Sequence, residues 1–361
     1  GYVVSLVGAV GALPVLLRRL YLGKTLGPTV VLLVVSLGLV HWRHGMHLRT
    51  GFDDYVMNPQ TRVNLQARSP AIASMQAGTP HPFRAAGFGE NFFPGYNAAL
   101  GIEGINGPDA LVNPYYRALT DALGIERKEG DWRLIVREDT LEKLQSAYDC
   151  LNVLYFLASH RSSPGPLAGL HRVGAFDLDV YQSNSSWPRA FFTDTLSLYA
   201  ELSEFVTFIQ MGDGKPLAAI HQSALVRTPS LASLLRDQQG RHVVPASDYQ
   251  LTNNTTSFQV VAPSAGVVVL TEAYLEGDFH VTVNGVPAPY FRLNHAFKGV
   301  RLAQPGVYTV TFRYWPRHLT LSLWAAGAGL LGLCSGAYYA WQGAPRAGLS
   351  TKPVGNYQLR G

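Results

Sequence analysis

The sequence predicts a membrane protein with three transmembrane α-helices, a large extracytoplasmic α/β region and, after it, a small antiparallel β-sandwich. Three observations point there. Residues 1–17, 25–42 and 319–344 are apolar stretches without a single Asp, Glu, Lys or Arg, each about the 17 to 25 residues needed to cross a hydrocarbon core of roughly 30 Å. Nearly all polarity falls between them. The block before the last stretch alternates apolar and polar residues with the period of strands.

Charge placement orients the spans. Of 29 basic residues, Arg18, Arg19 and Lys24 lie in the link between the first two stretches and Arg346, Lys352 and Arg360 in the tail, two pieces without an acid. Removing those six leaves 23 basic against 24 acidic residues, so the polar block is nearly neutral and the basic balance carries no nucleic-acid reading. By the positive-inside rule the link and the tail are cytoplasmic, which puts residues 43–318 outside. The chain starts inside an apolar run, so the expectation is a portion of a longer polytopic protein.

The expected organisation runs in order. Residues 1–42 hold two membrane helices and their short basic link. Residues 43–195 form an α/β domain, with strands near Leu134–Val136, Val153–Leu157 and Asp179–Tyr181 and helices over 114–123 and 141–148, the second capped by Asp139 or Thr140. Residues 81–113, dense in Gly, Pro and Asn, read as a long ordered loop. A connector spans 196–248, where 196–210 fits a helix or a strand and 229–239 a short helix. The sandwich spans 249–317. In it Tyr308–Tyr314 alternates large apolar residues with Thr and Arg, Val267–Leu270 reads as a buried strand, and Asn284-Gly285 after Val281 and Val283 signals a hairpin, because both residues accept positive φ. A last span over 318–344 and a cytoplasmic tail over 345–361 close the chain. Cys150 and Cys334 fall in different regions, so no disulfide within the polar block is expected.

On this block the chain resembles the C-terminal part of YfhO-like bacterial membrane proteins, a family in the GT-C class of polytopic glycosyltransferases. The matching positions are Gly277-Asp278-Phe279, Asn284-Gly285, Phe297-Lys298-Gly299-Val300, Pro305-Gly306 and Tyr314-Trp315-Pro316, with Phe279 standing where the family usually carries Trp. Upstream, Phe83-Arg84, Asn91, Gly104 to Asp109, Tyr115-Tyr116, Leu151-Asn152-Val153 and Pro188-Arg189-Ala190-Phe191 extend the likeness over most of 43–344. The resemblance implies a protein of the bacterial cytoplasmic membrane that transfers a sugar from a polyprenyl-phosphate carrier to an envelope glycan or polymer acceptor on the outer side. The family's catalytic acid belongs to an early outer loop. No residue of this chain matches it, and no catalytic residue is carried over.

Candidate ligand contacts follow from residue chemistry. Asp53 and Asp54 follow the second apolar stretch, where a lipid-linked phosphate or a divalent cation would be met; paired acids at a membrane exit are more often a solvated turn. Arg84, Glu90, Asn91, Tyr96 and Asp109 belong to the Gly-rich loop and can bond sugar hydroxyls, or can tie the loop down. Arg189, among Trp187, Phe191 and Phe192, reads as a structural pivot or a ligand contact. The histidines show no zinc spacing and no cofactor fingerprint appears. A membrane-anchored glycan-binding or structural envelope module without catalysis is the alternative to the transferase. A hydrolase would need a nucleophile with a base, or paired acids, which the spacing does not nominate.

Overall fold

The computed structural model describes residues 69–79, 81–89, 91, 101–105, 113–128, 133–160 and 167–342, apart from the side chains of 337 and 339–341. These residues all belong to one unit, 68–361. The expected spans at 1–17 and 25–42 lie outside the described residues.

The first part builds a mixed sheet covered by helices. In chain order it contains α1 (Pro70–Gly78), β1 (Arg84–Gly87), β2 (Glu103–Gly104), α2 (Pro114–Ala122), a hairpin of β3 (Arg127–Lys128) and β4 (Arg133–Leu134), α3 (Leu141–Cys150), β5 (Val153–Ala158), β6 (Leu170–Ala175) and β7 (Asp179–Ser183). Local chemistry sets the helix starts. Asn113 caps α2 by accepting from the Tyr115 and Tyr116 amides at 2.9 and 3.1 Å, and Pro114 fills the first turn, where its missing N–H costs nothing. Thr140 precedes α3 without a side-chain cap bond. The sheet order is β2-β1-β5-β7-β6. Strand β1 runs parallel to both β2 and β5, as the long helical crossover between β1 and β5 allows. Leu141, Leu144, Ala147 and Tyr148 line the buried face of α3, and Tyr148 meets Phe156 of β5 edge-on, with centroids 5.6 Å apart. The stretch 81–113, expected as one long loop, instead carries β1 and β2 in its described part.

The connector resolves into β8 (Ala190–Thr193), β9 (Ser197–Tyr199), α4 (Leu202–Met211), β10 (Ala219–His221), α5 (Gln222–Arg227), a 3-10 turn (Pro229–Leu234) and β11 (Val243–Pro245). The ambiguous stretch 196–210 is thus both a strand and a helix. Beyond it come β12 (Ser247–Leu251), β13 (Thr255–Ala262), β14 (Gly266–Ala273), β15 (Phe279–Val283), β16 (Val286–Pro287), β17 (Tyr290–Leu293), β18 (Phe297–Leu302), β19 (Gly306–Tyr314) and the helix α6 (Leu319–Gln342). Asn284 and Gly285 make the β15–β16 turn with φ of 51° and 78°.

Two antiparallel sheets, β11-β8-β14-β18-β17 and β12-β13-β19-β15-β16, enclose a core of Phe192, Val268, Leu270, Val300, Phe258, Val310 and Phe312. The sandwich is not a separate 249–317 domain, because β8 pairs with β14 at the centre of one sheet and β11 forms its edge. The other face of that sheet, with Phe191, Val267, Val269 and Phe297, joins the larger core around α3 and α4. Burial on both faces explains why β14 reads as the continuous run Val-Val-Val-Leu rather than an alternation. The expected fold class is therefore corrected. Among the described residues one helix, α6, is long and apolar enough to cross a membrane, and the rest is a mixed α/β body of several sheets whose sandwich borrows strands from the preceding region.

Asn294 fastens these parts together. It sits in the β17–β18 turn with φ of 47° and no solvent exposure. Its Oδ1 accepts from the Ala219 amide at 2.7 Å, and its Nδ2 donates to the Leu217 carbonyl at 2.8 Å. Asn294→Ala leaves both backbone groups buried and unpaired, and the expected loss is about 2–5 kcal/mol from the two groups together. Urea denaturation measures it; a change within 0.5 kcal/mol, the rough scale of a neutral surface substitution, would show that the clamp contributes nothing.

Candidate functional site

Five charged side chains from separate segments meet where the mixed sheet abuts the sandwich. Arg84 on β1 donates through Nη1 to the Leu151 carbonyl and through Nη2 to the Thr271 carbonyl, both at 2.7 Å, and its Nε lies 3.9 Å from the Glu103 carboxylate. Arg189, just before β8, donates through Nη2 to Glu103 Oε2 at 2.5 Å and reaches Glu272 Oε1 at 3.2 Å. Lys298 on β18 binds the other Glu272 oxygen at 2.9 Å. Thr256 Oγ1 on β13 donates to Glu272 Oε1 at 2.9 Å. The result is an alternating chain, Lys298–Glu272–Arg189–Glu103–Arg84.

Backbone geometry aims Glu272 into this chain. On β14 the pairing with β18 slips between Leu270 and Ala273, so Thr271 and Glu272 occupy a bulge, which turns side chains out of the regular alternation. Lys298 leans on aromatic faces, with Nζ 3.6 Å from the Phe279 ring centroid and 5.3 Å from that of Phe312. Its buried ammonium thus gains one carboxylate and the negative face of a ring.

Burial and ion pairing act against each other in this cluster. Burial by itself would raise the Glu272 carboxyl, but Arg189 and Lys298 outweigh it and hold that carboxyl down at about 2. Burial lowers Lys298 against the opposing pull of Glu272. Burial, with Arg189 adding to it, brings Arg84 to about 10, still protonated at neutral pH. Burial also works against the charge of Arg189, yet Glu272 and Glu103 raise it. Three basic side chains thus face two acidic ones. Arg189 keeps Nε and Nη1 buried without hydrogen-bond partners, a cost the ion pairs at its Nη2 must offset.

Two clefts open beside the cluster. The first, of about 330 Å³, is lined by Glu103, Glu272 and Lys298 together with Asn253, Phe279 and Tyr314. The second, of about 290 Å³, is lined by His81, Phe83, Ile102 and Tyr249 and shares Glu103 and Leu251 with the first. Aromatic surface beside a few fixed polar groups is the usual make-up of a ligand pocket.

Of the residues singled out in the sequence, Arg84 and Arg189 come together here, not against a ligand directly but as the groups that hold Glu103 and Glu272. Asn91 lines neither cleft; its amide donates to the Phe88 carbonyl at 3.2 Å. Asp53, Asp54, Glu90, Tyr96 and Asp109 lie outside the described residues. Sequence reasoning missed Glu103, Glu272 and Lys298 as site residues. A signal existed for two of them: an acid two residues after Val267–Leu270, a strand expected to be buried, and a lysine directly beside Phe297 are opposite charges next to large apolar residues, which calls for pairing. Comparison with models of protein families, with curated proteins and with solved structures finds no match.

The sign of the Glu272 shift makes a prediction. A carboxyl held below its ordinary value of 4.5 contributes stability above that pH and loses it as the pH falls toward 2. Glu272→Gln strands the Lys298 ammonium and is expected to cost about 3–5 kcal/mol at neutral pH. Its deficit against the parent protein shrinks as the pH drops from 4.5 toward 2. Denaturation curves at several pH values read this directly; a deficit independent of pH would rule out ion pairing as the source.

Proposed function

We propose that this chain is a membrane-anchored part of an envelope glycosyltransferase, and that its first cleft holds the saccharide while a sugar is transferred from a polyprenyl-phosphate carrier outside the cytoplasmic membrane. The observation that carries the reading is the place of the cleft. Tyr314, which lines it, is the last residue of β19, and α6 begins at Leu319, so the cleft lies at the end of the sandwich from which the apolar helix departs.

That helix is apolar on every side. Trp324, Leu330, Leu331 and Leu333 are 63–75 % exposed, and none of its 18-residue apolar window is buried within the protein. A lipid phase removes that cost, and a helix is a form in which the backbone is satisfied there. Tyr314 and Trp315 at its start suit the interfacial zone where aromatic residues gather. A saccharide on a lipid carrier is presented at this level.

The lining fits a polyhydroxylated ring. Asn253, Asn254 and Thr252 offer donors and acceptors, Glu103 an acceptor with 42 % of its side chain exposed, and Phe279 and Tyr314 apolar faces. Hydrolysis is a poorer fit. A glycosidase needs a carboxylic acid whose pKa is raised, whereas Glu272 is held ionised. With Glu272 engaged by Lys298, Arg189 and Thr256, the cleft is read as holding the saccharide, and the transfer chemistry as belonging to another part of the protein. This keeps the non-catalytic glycan-holding module as the second reading.

The test is transfer from a radiolabelled polyprenyl-phosphate sugar by the full-length protein in lipid nanodiscs. Tyr314→Ala and Asn253→Ala, at solvent-accessible positions, are each expected to raise the KM for acceptor about tenfold, or roughly 1.4 kcal/mol, with kcat little changed. Transfer unaffected by either change would remove the cleft from the reaction. Absence of transfer with retained glycan binding would favour the non-catalytic module.

A further inference from the structure

The two clefts share a border, and that border is low. Glu103 and Leu251 line both, and both are open to solvent, Leu251 at 45 % and the Glu103 side chain at 42 %. A wall between two separate sites would be buried. Here the shared residues form a saddle between two depressions.

Strand β12 gives the pair a direction. Tyr249 and Leu251 are two apart on it, past an irregularity in its pairing with β13, and Asn253 lies in the turn beyond its end. Tyr249 lines the second cleft, Leu251 the saddle and Asn253 the first cleft. At about 3.3 Å per residue, Tyr249 and Leu251 lie on the order of 7 Å apart along the strand. Among the described residues, strand β12 is also the edge of its sheet.

The chemistry repeats along the line. Each depression has aromatic side chains beside the shared carboxylate, Phe279 and Tyr314 in one, Phe83 and Tyr249 in the other. His81, exposed at the far rim, stands edge-on to Tyr249 with centroids 6.2 Å apart. At about 330 and 290 Å³, each cleft alone sits near the bottom of the roughly 300–1,000 Å³ span of ligand pockets. One ligand across both uses the repeated chemistry; a single sugar ring uses half of it.

We infer that the two clefts form one groove along β12 that binds a linear oligosaccharide of several residues, crossing the saddle at Glu103 and Leu251. This rests on the saccharide-holding reading of the first cleft and extends it from a sugar to a chain. Glu103 is then the central contact. Its carboxylate accepts from Arg189 on the inner side, and its exposed outer side is placed to accept from hydroxyls of the residue that straddles the saddle.

The experiment uses the full chain in nanodiscs on an array of linear bacterial envelope oligosaccharides, each displayed at one, two, four and six residues, followed by titration calorimetry on the series that binds. The expected result is at least a tenfold gain in affinity between two and four residues. His81→Ala and Leu251→Arg, both at exposed positions and checked for unchanged melting temperature, abolish that gain. Affinity that does not depend on length overturns the groove and leaves the single-cleft saccharide reading standing. A gain that survives in both variants places the longer chain elsewhere and also overturns it. Binding of no saccharide at any length overturns the saccharide reading and the groove together, as does capture of extended peptides along β12 instead of glycans.

Discussion

Glu272 is the residue on which the arrangement turns. One oxygen takes Lys298 and the other takes Arg189 and Thr256, so a single carboxylate joins β14, β18, the segment before β8 and β13. Through Arg189 the same connection reaches Glu103 on β2, and through Glu103 it approaches Arg84 on β1. The mixed sheet and both sheets of the sandwich are thereby held in one register. Such a network is not a large net source of stability, because desolvating five charges cancels much of the attraction between them. Its effect is selective. A displaced sheet would leave charges buried without partners, a far larger penalty than the native pairing gains.

This constraint shapes the cleft as well. Lys298 is 2 % exposed in its side chain and rests on Phe279, so the ring that faces the cleft is backed by a fixed ammonium. Glu103 is held from behind by Arg189 while its outer side stays open. Polar groups pinned by buried partners meet a ligand without ordering themselves first, which lowers the entropy lost on binding. The price is visible in Arg189, whose Nε and Nη1 are buried without partners.

Much of the local structure was legible in the sequence, and much of the assembly was not. The helices α2 and α3, the strands β5 and β19 and the Asn284-Gly285 turn follow from apolar spacing, alternation and backbone preference, all signals carried by neighbouring residues, although Thr140 makes no side-chain cap bond at the start of α3. The membership of β8 and β11 in the sandwich has no such signal. Their partners lie far along the chain, and a short run such as Ala-Phe-Phe-Thr is compatible with either sheet. The site shows the same division. Arg189 was singled out because a charge among aromatics is conspicuous, and Arg84 as a polar residue of the Gly-rich loop. Glu103 was not, since a two-residue strand leaves no periodic trace, and Glu272 acquires its aim only from a bulge in the pairing with β18. A bulge is a property of two strands, and one strand's sequence does not announce it.

The joint between sandwich and helix completes the argument about position. The Asp278 carbonyl accepts from the Trp315 amide at 2.8 Å, and its Oδ1 accepts from the Arg317 amide at 3.1 Å. Its own amide donates to the Tyr290 hydroxyl at 3.0 Å, which in turn donates to the Leu275 carbonyl at 2.5 Å. Trp315 Nε1 also donates to Thr320 Oγ1 inside the first turn of α6. The segment between β19 and α6 is therefore not a free linker; its amides are committed to the loop that carries Leu275, a cleft-lining residue, and leads into Phe279. In the proposed setting, with α6 in a bilayer, the height of the cleft above the lipid would follow from these few bonds. A cleft held at constant height suits a saccharide presented on a lipid carrier, whereas a glycan free in solution would gain nothing from it.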